Sequence, residues 1–183
     1  MCCGTTAVPC LRPIAYIIFS RTQVRACNTQ ALNELVQQHS AAPNHRDKLD
    51  INARAEDGCT ALHWSVATGV VEMTATLANL SGIDLSARDC KGRTPLHLAA
   101  LHAHESPEHL QCIFLLAELG GAELSEVADD DGATALHLAA EKGTKQAAAV
   151  LIHSGVKVDC TDHDGMTSLQ LGLSNESRLP PLQ

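Results

Sequence analysis

Aromatic side chains are nearly missing from this chain: one Trp, one Tyr and two Phe, 2% of 183 residues. Rings are the bulkiest core fillers, so a large interior anchored on them is excluded. Ala and Leu must do the filling, within a hydrophobic share of 45%, which suits closely stacked helices. No Cys-x-x-Cys occurs among the eight cysteines, which removes the common zinc-finger spacing. Their scatter shows no disulfide framework, so a reducing compartment is expected. Positive charge is also scarce, with 13 Lys and Arg against 21 Asp and Glu and a formal charge of -8. Binding to a phosphate backbone draws on clustered cations, so nucleic acid is not expected as a partner.

Long apolar runs are absent. Ile14 to Phe19 is short and follows Pro9, Arg12 and Pro13, a poor secretory signal. Leu110 to Leu119 is too short to span a bilayer and contains Glu118. The chain shows no glycine-rich phosphate loop. The expectations are a soluble protein of the cytoplasm, with the nucleus left open, no cofactor, no metal and no small-molecule substrate.

What is present is a repeat. GCTALHWSV starts at Gly58, GRTPLHLAA at Gly92, GATALHLAA at Gly132 and the fading GMTSLQLGL at Gly165, at steps of 34, 40 and 33 residues. Each glycine closes a turn that needs positive φ. Thr60, Thr94, Thr134 and Thr167 follow at the N-cap, and Pro95 falls at the first helical position, where a missing N–H costs nothing. A second helix is expected over 70–80, 110–119 and 145–153. Gly69 and Gly143 mark the bends between paired helices, and extended hairpin segments start at Ile83, Ala122 and Val156. The step of 40 places its extra residues in the loop His102 to His109.

A period near 33 with a Thr-Pro-Leu-His core resembles the ankyrin-repeat family. The resemblance covers about residues 29–174 and implies an all-α repeat solenoid of helix-turn-helix units joined by β-hairpin loops. Its units are a divergent one at 29–54, with a helix over Thr29 to His39, then repeats at 55–88, 89–128 and 129–161 and a partial unit at 162–174. Residues 1–28 form a non-repeat segment, a disordered stretch or a divergent cap, and 175–183 a tail.

The family's function is to bind another protein, without catalysis, and that is the implication here. Transferred position by position, the partner-binding turn sites are Glu56, Asp57 and Cys59, then Cys90, Lys91 and Arg93. Asp130, Asp131 and Ala133 follow, then His163, Asp164 and Met166. Inner-helix ends add Ala67, Thr68, Leu101, His102, Glu141 and Lys142. Gly58, Thr60, His63, Gly92, Thr94, His97, Gly132, Thr134 and His137 are assigned to structure. In the family the imidazole bonds the Thr hydroxyl of its own turn and neighbouring backbone. Charge reversal at Lys91 or Arg93 is expected to weaken partner binding without unfolding the array.

Other clusters are weaker signals. His63, His97 and His137 lie a repeat apart and cannot converge on one ion at about 2 Å. His102, His104, Glu105, Glu108 and His109 crowd one loop, where a solvated insertion outweighs a metal site. Cys59 and His63 have the spacing of a thiol–imidazole pair but no third group to orient it. Asp129 to Asp131 make an acidic fingertip beside the basic Arg88, Lys91 and Arg93. Trp64 is read as inter-helix packing, with an exposed anchor as the alternative. Cys2 and Cys3 could carry palmitate, and the family resemblance implies that Asn52 could be hydroxylated, although turn support is its simpler role. The rival to a free-standing adaptor is a fragment or isoform of a larger enzyme or channel.

Overall fold

The computed structural model describes residues 51–176. The expectations for residues 1–50, including the helix over 29–39 and Cys2 and Cys3, fall outside the described residues, as does the tail from 177. Seven helices lie among the described residues: α1 (Ala61–Ala67), α2 (Val71–Ala78), α3 (Pro95–His102), α4 (Pro107–Ser125), α5 (Ala135–Glu141), α6 (Lys145–His153) and α7 (Ser168–Glu176). They stack in two rows. The inner row is α1, α3, α5 and α7, each packed on the one before, and the outer row is α2, α4 and α6. None of these helices is long and apolar enough to cross a membrane.

The core is the seam between the rows. Leu62, Leu96, Ile113, Leu116 and Leu151 are fully buried, and Ala99, Ala100, Ala139 and Ala147 let the backbones approach. Gly69 and Gly143 take φ of +70° and +68°, a region that costs an L side chain roughly 1–2 kcal/mol, and this lets the chain double back between paired helices. The second repeat carries the longer loop there, and its outer helix starts at Pro107, where proline suits the first turn.

One expectation about the connections needs correcting. The segment from Ala122 is not extended at its start: α4 breaks at Gly121 (φ 60°) and resumes to Ser125. Burial of Leu124, which lies against Gly120, favours that extra turn. The hairpins, moreover, hold no strands among the described residues, only single bridges such as Ala128 to Thr134 and Thr161 to Thr167. Side chains take the place of strand partners. Asp84, for example, accepts from the Ser86 N–H and hydroxyl at 3.0 and 2.7 Å.

Candidate protein-binding edge

The fingertips are built by aspartates three residues before each glycine. Asp89 Oδ1 accepts the N–H of Lys91 at 2.8 Å and of Arg93 at 2.9 Å. Asp129 does the same for Asp131 and Ala133, and Asp162 for Asp164 and Met166. The first turn has Ala55 at this position, and Asp57 instead takes the Cys59 N–H at 3.0 Å. Consecutive tips are then joined by backbone bonds. Cys90 N–H donates to the Asp57 carbonyl at 3.0 Å, Asp130 N–H to Lys91 at 3.1 Å and His163 N–H to Asp131 at 3.0 Å. The glycine makes room for this contact, since a Cβ on Gly58 would stand 2.9 Å from the Cys90 nitrogen.

Behind the tips, each Thr–His pair fastens one repeat to the next. His63 Nδ1 accepts from the Thr60 N–H at 3.1 Å and the Thr60 hydroxyl at 2.9 Å. An N–H can only donate, so Nδ1 is bare and the ring proton sits on Nε2. That proton reaches the Arg93 carbonyl of the following repeat at 3.0 Å. His97 repeats the pattern to Ala133 at 3.1 Å, and His137 to Cys160 and Met166 at 3.1 and 3.2 Å. Burial lowers the His63 and His97 pKa values below the usual imidazole range, which keeps both rings neutral. In the last unit Gln170 Oε1 takes the Thr167 N–H at 2.9 Å and the hydroxyl at 3.2 Å. The amide thus stands in for Nδ1 alone.

A model of three ankyrin repeats matches residues 23–126 and 105–179, well over half of the chain. The chain belongs to the ankyrin-repeat family. Among similar proteins, the tyrosine-protein kinase HTK16 of Hydra vulgaris is 34% identical over 130 residues, 71% of this chain and 16% of that protein. The B-cell lymphoma 3 protein homolog of Mus musculus is 34% identical over 119 residues, 64% of this chain and 26% of that protein. The human transient receptor potential cation channel subfamily A member 1 is 31% identical over 115 residues, 62% of this chain and 10% of the channel. The chain therefore spans at most about a quarter of the length of these relatives.

Ankyrin repeats are protein-interaction modules, and the edge just described has the exposure such a role requires. Glu56, Asp57, Thr68, Cys90, Lys91, Asp130, Asp131, Glu141, Lys142, His163 and Asp164 are exposed; Cys59, Ala67, Arg93, Leu101, His102, Ala133 and Met166 are half-buried. The structural set lies deeper: Thr60, His63, Gly92, Thr94, His97, Gly132, Thr134 and His137 are buried, and Gly58 half-buried.

Arg93 differs from its neighbours. Its guanidinium binds Asp89 Oδ2 through Nε at 3.0 Å and Nη2 at 2.7 Å, and the Asp89 side chain is 1% exposed. Reversing Arg93 would strand a buried carboxylate, so the expectation that the array tolerates this change is withdrawn. Arg88 is also engaged, donating to the Ala128 carbonyl at 2.7 Å and lying 3.6 Å from Asp130. These roles of Asp89, Asp129, Asp162 and Arg88 were not anticipated. The recurring Asp-x-x-Gly-x-Thr spacing could have revealed the three aspartates.

The minor candidates settle into local bonds. The Cys59 thiol is pushed up to about 12 by burial and by Asp57 and Asp89, which leaves it protonated and unreactive. In the long loop His102 pairs with Glu105 at 2.8 Å, and His109 Nδ1 and the Ser106 hydroxyl share a hydrogen bond of 2.9 Å. Among the described residues no group of three or more His, Cys, Asp and Glu is placed to hold a metal. Trp64 is partly buried against the core. Asn52 ties its hairpin to the next, donating to Gly82 at 2.8 Å and accepting from Asp84 at 2.9 Å.

Proposed function

We propose that the chain is an adaptor of the cytoplasm that binds another protein along the concave face and the row of fingertips, without catalysis. One observation carries this reading. The framework residues are consumed by stacking, whereas the tips are held in line by their backbones and keep side chains such as Lys91, Asp131 and Asp164 exposed to solvent. The tip charges then select that partner. Glu56 and Asp57, Lys91, Asp130 and Asp131, and Asp164 follow one another, so one lysine stands among carboxylates. Residues 51–176 hold seven Lys and Arg against eighteen Asp and Glu. A partner segment with basic side chains flanking one acidic group complements that row, and the charges act mainly on encounter rate and specificity.

The test begins with proximity labelling to name the partner, followed by titration of purified protein. Lys91→Glu and Asp131→Lys should each weaken binding by about tenfold and leave the melting temperature unchanged. Full affinity in both variants would remove the edge as the binding surface.

A second reading rests on the relatives, whose matched share is 10–26% of their length. Here the repeats act as the docking arm of a larger protein. The mass of the native protein, detected with an antibody to the array, separates the two.

A further inference from the structure

The longer loop of the second repeat joins α3 to α4 and holds one hydroxyl, that of Ser106, among three imidazoles and two carboxylates. His102 Nδ1 lies 2.8 Å from Glu105 Oε1, and the His102 and His109 ring centroids are 5.8 Å apart. His109 Nδ1 lies 2.9 Å from the Ser106 oxygen. The His109 side chain is fixed in place: the residue is 4% exposed and packs against the bend at Gly69, where a Cβ would stand 3.2 Å from its Cε1. Its Nε2 is buried without a partner among the described residues, so the bond to Ser106 is the ring's one hydrogen bond. The His102 hydrogen bond, and then the charges of His102, His104 and His109, hold the Glu105 carboxyl below its usual value. Ser106 itself lies between the two helices, half-buried, with exposed Glu105 and Pro107 on either side. A residue before proline is biased to the extended conformation, the shape in which a kinase reads a serine followed by proline. Of the seven prolines only Pro95 and Pro107 follow a hydroxyl-bearing residue, and Thr94 is 0% exposed.

We propose that Ser106 is a phosphorylation site of a proline-directed protein kinase, and that its phosphate is held by the imidazoles of His102 and His109 at the start of α4. The γ-phosphoryl group of ATP passes to the serine oxygen, its bond to ADP breaks and the hydroxyl proton leaves to solvent. The product carries about −1.5 to −2 charges at neutral pH. Glu105 and Glu108 repel that charge, but both residues are exposed and their side chains can turn away. His109 cannot. Imidazole ordinarily titrates at about 6.5, so a phosphate beside it recruits a proton close to neutral pH. The positive end of the α4 dipole adds to the attraction. Phosphorylation would also place negative charge beside His102 and the bend after Thr68, two inner-helix ends of the binding face. That consequence rests on the function proposed above, whereas the modification itself does not.

The full chain is incubated with ATP and a purified proline-directed kinase, with no partner present, which separates this test from that of the fingertip edge. Phosphate should be incorporated, and peptide mass spectrometry should place it on Ser106 and not on Thr94. Ser106→Ala and Pro107→Ala should each lose most of the label while keeping the circular dichroism of the parent. In the phosphorylated chain the NMR titration midpoint of His102 or His109 should rise by about one pH unit. The proposal is overturned if the folded chain takes no label, including the case in which a free peptide of residues 100–112 does, since the fold then closes the site. It is equally overturned if Ser106→Ala is labelled as strongly as the parent. A phosphorylated chain in which neither imidazole midpoint rises overturns the assignment of the phosphate to the histidines.

Discussion

The third repeat and the last unit keep the same turn and cap but differ greatly in burial. GATALHLAA and GMTSLQLGL share the glycine, the capping threonine and both leucines. Leu136 is nonetheless 3% exposed and Leu169 71%. The inner helix forms in both, because its cap is local and is made by His137 in one and Gln170 in the other. Burial is not local, since it needs an outer helix and a following hairpin. Helix formation and core formation are therefore separable in this fold, one written in four residues and the other supplied by neighbours.

The largest expected effect sharpens that contrast. Leu96→Ala should cost about 2–5 kcal/mol, as buried truncations do, while Leu169→Ala should stay within about 0.5 kcal/mol. Urea unfolding of the two variants reads the difference directly, and equal costs would break the comparison.

Next in size is Asp89→Ala, which leaves the Lys91 and Arg93 N–H groups and the Arg93 guanidinium without their acceptor. A loss of about 1–3 kcal/mol is expected. Burial pushes the Asp89 pKa up, but the Arg93 side chain and the two N–H bonds outweigh it and hold the carboxyl below its usual value. Its stabilisation is thus complete above the unfolded carboxyl pKa of about 3.9 and fades as the pH falls further. Acid unfolding monitored by circular dichroism should be less steep in Asp89→Ala.

His97→Gln should keep the local cap and lose the bridge to Ala133, at about 0.5–1.5 kcal/mol, while Gln170→His should change little. Because burial depresses the His63 and His97 pKa values, their neutral forms stabilise the fold above about pH 6.5, and that contribution declines as the pH drops below it. Thermal melts between neutral and mildly acidic pH should show this decline, and His97→Gln should reduce it.

The smallest effect is chemical. Alkylation followed by peptide mapping should modify the exposed Cys90 well before Cys59, whose thiol stays protonated.

The repeated motif made the fold legible, because glycine, threonine, proline and histidine each have a local task in it. The helix over 145–153 could be read to the residue, whereas α4 could not. Its extension past Gly121 depends on where Leu124 finds cover, a tertiary matter. On the candidate edge, the exposed tips follow from the repeat's geometry. Arg93 was misjudged because a surface-like basic residue gives no sign in sequence that a buried carboxylate four residues earlier has claimed it. Asp129 looked like one of three equivalent acids, and only the backbone path separates it from Asp130 and Asp131.

The N–H···O links from one finger to the next carry a consequence for recognition. A ligand that settles on a single finger finds the others at fixed intervals, so its own charged groups must match that pitch as well as the signs. Lengthening one finger by a residue would leave every charge present and put the pattern out of step, as a ruler with one graduation misplaced fails for every longer measurement.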